Sequence, residues 1–130
     1  MPLSEYAADL LATAEANGTA YQGPATIYLA LMTVASTPAA TGTEVVGDGY
    51  ARVAFAQTGW TNDGAGELSN TADISWDEAL EDWGTAVEVA AFDASTAGNR
   101  LWSEDLTDDV IIANGQTFVI DAGSLVRQAV

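Results

Sequence analysis

Hydrophobic positions along this chain follow two rhythms. From Ser4 to Asn17 the apolar residues Tyr6, Leu10, Leu11 and Ala14 fall near one face of a helix. Ser4 stands where its hydroxyl can cap the first free N–H groups, and Glu5 sits at the positive end of the peptide dipoles. Asn17-Gly18 supplies the stop. The pattern predicts a helix whose apolar stripe packs on the rest of the chain or, failing that, on a partner.

After Gly18 the runs are short and strand-like, divided by clusters of Gly, Asn, Asp, Pro and Thr. Predicted strands are Thr26 to Thr33, Tyr50 to Thr58, Glu67 to Trp76, Thr85 to Asp93, Arg100 to Leu106, Val110 to Ile112, Gln116 to Ile120 and Ser124 to Gln128. Ile27, Leu29 and Leu31 alternate along the first, Val53 and Phe55 along the second, and Asp121-Ala122-Gly123 is a tight connection between the last two. Thr33 to Gly49, which contains Pro38, reads as a long surface loop. Asp77 to Trp83 reads as one helical turn or an acidic loop. Short strands at this spacing predict a mainly β fold, an antiparallel β-sandwich or jelly-roll-like domain with a short N-terminal α-helix.

Composition changes the picture in two ways. With 130 residues and 48% hydrophobic residues there is one core and one domain, with a helical segment over 1–18 and a β body over 24–130. The chain carries 19 acidic residues against three arginines (Arg52, Arg100 and Arg127), no lysine and no histidine, for a formal charge of -16. Such a surface repels phosphate backbones and anionic membranes, so neither nucleic acid nor membrane is expected as a partner. No apolar run approaches the roughly 20 residues that cross a bilayer. Residues 66 to 130 hold thirteen of the acids, so the field is strongest in that half. The excess suits a salt-rich setting, where repulsion is screened. Without cysteine, stability comes from packing or assembly. The start of the chain, Met-Pro-Leu-Ser-Glu-Tyr, lacks a secretory pattern, which implies synthesis in a cytoplasm.

Absence of histidine, lysine and cysteine leaves carboxylate chemistry as the only easy catalysis. Asp77, Glu78, Glu81 and Asp82 lie between Trp76 and Trp83, a composition that glycosidases use to set an acid and a base against a sugar. Adjacency in sequence is not convergence in space, so the plainer reading is a solvated acidic loop anchored by two tryptophans. Glu104, Asp105, Asp108 and Asp109 form a second acidic group at an expected hairpin. Either group offers the hard oxygen ligands that calcium takes, yet neither has the EF-hand spacing and no glycine-rich loop has a phosphate-binding pattern, so the plainer expectation is no metal, no cofactor and no enzyme activity, with calcium as the alternative. Trp60, Trp76 and Trp83 fill the core in the plainer reading and stack on surface sugars in the other. Arg52 is expected to pair with a carboxylate of its own chain, the alternative being a neighbouring subunit; Arg100 and Arg127 are strand-face residues unless they meet acids across an interface.

The order of segments resembles a family of small tailed-phage virion proteins, often labelled tail-fibre or head-decoration proteins. The resemblance covers nearly the whole chain. It runs from the helix before Gly18-Thr19-Ala20-Tyr21 through Pro24-Ala25-Thr26-Ile27-Tyr28-Leu29-Ala30-Leu31, Thr43-Glu44-Val45, Gly49-Tyr50-Ala51-Arg52 and Ser69-Asn70-Thr71-Ala72. It continues in Asp82-Trp83-Gly84-Thr85, Phe92-Asp93-Ala94, Gly98-Asn99-Arg100-Leu101-Trp102, Asn114-Gly115-Gln116-Thr117 and Ala122-Gly123-Ser124-Leu125. The departure is Trp76-Asp77-Glu78-Ala79-Leu80-Glu81, where such proteins have a plain apolar or proline-bearing strand end.

The resemblance implies a β-sandwich module on a virion surface with no catalytic residues to carry over. The expected function is capsid decoration: a cement protein on the outer capsid surface that binds the assembled head and stabilises contacts between major capsid protein subunits. It would act as a homotrimer or another cyclic homo-oligomer. The alternative is a tail-fibre or tail-associated host-recognition module. Contacts are expected from the helix and the loop over 33–49, with Tyr6, Leu10, Leu11, Pro38, Arg52, Trp76 and Arg100 as candidate interface residues.

Overall fold

In the computed structural model, which describes residues 3–18, 23–65 and 67–128, the longest strands pair antiparallel in the order β1 (Thr26–Val34), β7 (Gly84–Phe92), β8 (Arg100–Ile112). β1 meets β7 from Tyr28↔Phe92 to Met32↔Glu88, and β7 meets β8 from Gly84↔Ile112 to Phe92↔Arg100. The other edge of β1 has a broken partner. β2 (Thr43–Glu44) takes its C-terminal half and β3 (Val53–Ala56) its N-terminal half. Two small antiparallel sheets complete the body. One joins β4 (Trp60–Asn62), β5 (Glu67–Asn70) and β10 (Val126–Gln128); the other joins β6 (Ile74–Ser75) and β9 (Val119–Ile120).

Alternation in β1 turns Ile27, Leu29 and Leu31 to one face, beside Val89, Ala91 and Trp102 of the neighbouring strands. That face forms one core with Ile74 and Ile120 of the smaller sheets and with Trp76 and Leu125 beside their strands, a sandwich-like arrangement. The opposite face is buried as well, at Ala30, Met32, Ala90 and Phe92. Burial on both faces explains why β1 and β7 read as nearly continuous apolar runs.

The N-terminal helix α1 (Glu5–Asn17) forms as its sequence dictates. Ser4 caps it by accepting from Ala7 N at 3.1 Å, and Gly18 ends it in the left-handed region at φ 65°. Its packing departs from expectation. Ala7 is its only buried residue among those described, while Tyr6 and Leu11 stay 43% and 38% exposed. The body holds the helix mainly through the start of the chain: Leu3 bridges Trp102, and Ser4 N donates to Leu101 O at 2.9 Å.

Other boundaries also differ for physical reasons. The expected strands over 100–106 and 110–112 are one strand, because Val110 and Ile112 stay in the β7 ladder past the acids. The expected strand over 67–76 turns at residues 71–73, where the buried Asn70 side chain ties the corner. Its Nδ2 donates to Ala72 O at 2.8 Å and Asp121 O at 3.0 Å, and its Oδ1 accepts from Leu125 N at 2.9 Å. The expected loop over 33–49 contains β2, and residues 77–83 have no helical turn.

Asn70→Ala should therefore cost about 3 kcal/mol, since it leaves several buried backbone groups without partners. A urea unfolding midpoint that falls at unchanged slope would show this; an unchanged midpoint would refute it.

Candidate interaction surface

The outer face of the central sheet is closed by charged side chains, and this decides which candidate residues remain at the surface. β2 and β3 diverge beside Leu31, whose N–H has no strand partner there. The hydroxyl of Tyr50 takes that place, accepting from Leu31 N at 3.1 Å and donating to Glu44 Oε2 at 2.5 Å. Arg52 grips the same carboxylate bidentately, Nε to Oε2 and Nη2 to Oε1, both at 2.9 Å. Its Nη1 donates to Ala94 O at 2.9 Å and Ala97 O at 2.8 Å, and its guanidinium lies 3.8 Å from the centre of the Phe92 ring. Ala97 has φ 50°, a strained value for a residue with a Cβ, and the Arg52 bond helps to hold it there. Arg52 thus makes the intramolecular pair expected of it and has a side chain only 6% exposed.

A second guanidinium holds residues 35–42 as a strap across the sheet. Nη2 of Arg100 donates to the carbonyls of Thr37, Pro38 and Ala40, and Nε to Thr41 Oγ1 at 3.4 Å. From β7, Glu88 Oε2 accepts from Ser36 N at 2.8 Å. Gly42 closes the strap: a Cβ there would lie 1.8 Å from Val34 O, so only glycine fits. Arg100 Nη1 and Glu88 Oε1 are buried without hydrogen-bond partners. Burial pulls the Arg100 guanidinium below its ordinary pKa, with the Glu88 charge acting the other way.

The surface that remains is acidic, with scattered apolar side chains. Tyr6 and Leu11 are exposed on α1 and Leu10 is half-buried; the exposed Pro38 meets the helix start, where Glu5 N donates to Pro38 O at 2.9 Å. Tyr6 and Pro38 are therefore accessible near the helix start, and Leu11 is exposed farther along α1. Arg52, Trp76 and Arg100, by contrast, are internal, and their groups are engaged in holding the fold. The side chain of Arg127 lies outside the described residues.

The acidic segments are spread along the surface. Asp77, Glu78, Glu81 and Asp82 are all exposed, while Trp76 and Trp83 turn inward to 1% and 4% exposure. Trp83 Nε1 donates to Asp48 O at 2.9 Å, and its ring meets Tyr50 edge-on at 5.4 Å. Trp60 is half-buried against Phe55, at 5.0 Å between ring centres. Trp76 and Trp83 are thus core residues, and the acidic stretch is a surface loop. The second acidic group lies along strand β8, not at a hairpin. Among the described residues no group of three or more metal-ligating side chains converges.

Sequence reasoning met Glu44 and Tyr50 only as motif residues, without a role, and passed over Glu88; all three organise the outer face. Glu88 carried a signal: it is the one charged residue inside the apolar run from Thr85 to Phe92.

Two predictions follow from the clamps. At Glu44 burial pushes the carboxyl up, but hydrogen bonds from Arg52 and Tyr50 and the Arg52 charge outweigh it, and the net value lies below the ordinary one. The resulting stabilisation is complete above the unfolded-state pKa and is lost as pH falls through the lowered folded-state value. Glu44→Gln should flatten that acid limb in urea midpoints measured against pH, and an unaltered limb would count against the clamp. Arg100→Met should cost about 3 kcal/mol, because Glu88 then stays buried without a nearby cation. Hydrogen exchange at the Ser36 and Gly42 amides should also quicken; unchanged rates would show that the strap is held by other contacts.

One comparison with known proteins bears on this arrangement. The family model described as Podophage GP4 fiber I protein gp80 matches residues 2–128. No curated protein matches the chain. The match takes in the helix, the strap and all three sheets. The chain therefore belongs to the podophage GP4 fiber I protein gp80 family, a family of phage virion structural proteins.

Proposed function

We propose that the chain is a structural module of the phage tail-fibre apparatus, attached to its neighbours through the exposed side of α1 and the adjoining strap. The family match over residues 2–128 carries this reading, because the family is described as a fibre protein. The geometry supports a role in assembly. Tyr6 and Leu11 offer apolar area on a capped helix, and Pro38 lies beside the helix start. A many-copy array makes each contact count repeatedly, so a small apolar face suffices.

Head decoration is the second reading, and the same exposed helix favours it. In that case the partner is the major capsid protein and the module sits on the outer capsid surface as a cyclic homo-oligomer. The fibre wording of the family description supports the first reading.

Gold-labelled antibody against the chain, imaged on intact virions, should mark the tail. Label spread regularly over the head would replace the fibre reading with decoration, and unlabelled particles would remove both. A chain carrying Tyr6→Asp and Leu11→Asp should lose about 1 kcal/mol of stability, since both side chains are partly exposed, and remain folded, yet enter virions about tenfold less. Undiminished incorporation would release the helix from the attachment role.

A further inference from the structure

β8 is the last strand of the central sheet: β7 pairs with one of its edges, and on the other, among the described residues, only the start of the chain pairs, through Leu3↔Trp102 and Ser4 N to Leu101 O. From residue 105 to residue 111 no described strand pairs with that second edge. An unpaired edge is a template for the edge of another chain, most of all where its residues favour strands. Val110-Ile111-Ile112 is such a run, three β-branched residues in a row. Ile112 is buried in the core and Val110 packs against it, but Ile111 is 72% exposed.

Two features stand immediately before this run. Asp108 and Asp109 are both exposed. The ladder to β7 is broken at the same place: Val110 faces Ala86 and Asp105 faces Glu88, so residues 106–109 stand against Val87 alone. Such a bulge interrupts the line of the edge, and the two acids charge it. Two copies brought edge to edge about a twofold axis run antiparallel, and the register that pairs residues 105–111 of both sets Asp108 and Asp109 beside their own counterparts. Like charges there oppose pairing. A register centred on Ile111 avoids that meeting but gains few hydrogen bonds, because the chain turns away at residues 114–115.

We propose that Asp108 and Asp109 guard the free edge of β8, keeping one copy of this chain from pairing with another through residues 105–112 before either joins a particle. Their effect is local to the strand and differs from that of the net charge, to which every exposed acid contributes. The inference concerns the free chain and stands apart from its place on the virion.

The test compares the full chain carrying Asp108→Asn and Asp109→Asn with one carrying Asp77→Asn and Glu78→Gln, which loses the same charge from an exposed loop away from the edge. In sedimentation velocity the edge variant should associate at concentrations about tenfold below those needed by the unaltered chain, and the loop variant should not. Hydrogen exchange at the amides of residues 105–111 should slow in step with that association. Molar salt should move the unaltered chain in the same direction, since it screens exposed carboxylates; this second measurement needs no substitution and stands even where the edge variant folds poorly. Equal association by both variants would assign the effect to net charge, and association without slower exchange in β8 would put the contact elsewhere; either overturns the proposal. So does a chain that stays dispersed both with the two substitutions at the edge and in molar salt.

Discussion

Two guanidinium groups hold the outer face of the central sheet shut, and the rest of the structure depends on them. A sheet with one covered face would leave Ala30, Met32, Ala90 and Phe92 against water. Arg52 covers one part of that face by tying β3 to Glu44 and to the loop after β7; Arg100 covers another by drawing residues 35–42 over the strands. Backbone carbonyls are the main acceptors in the strap. A flexible segment of small residues is thereby fixed without large side chains of its own. Lysine, with its single ammonium, could not reproduce either fork of contacts.

Much of this architecture was legible in the chain. Ser4 and Gly18 bound the helix where its caps predict, and the alternation in β1 identified the core face correctly. Arg52, flagged for its rarity, makes the internal pair expected of it. Harder to read was anything that depended on tertiary pairing. β2 is two residues long and exists because β1 offers it an edge; the break in the edge is filled by a phenol that no local pattern announces. The turn after Asn70 is invisible locally as well, since two of its bonds reach residues 121 and 125. Trp76 and Arg100 were plausible contact residues by type, yet burial gives both to the interior.

Internalising cations has a further effect on the exterior. Removing two of three arginines from the described surface leaves nearly all the acidic charge outside, where it opposes chance association with like-charged copies and with nucleic acid. The apolar area left outside is small and includes Tyr6 and Leu11 on α1.

The same arrangement alters how the module meets digestive enzymes. Proteases that cut after a basic residue need that side chain extended into their own specificity pocket, with the flanking backbone unpaired. In this chain they have only three such points, and Arg52 and Arg100 are locked beneath hydrogen bonds. Cleavage at either must wait for local or global opening, so its rate follows the stability of the fold. For a particle that spends its life outside cells, concealing basic residues guards the chain as well as closing the sheet.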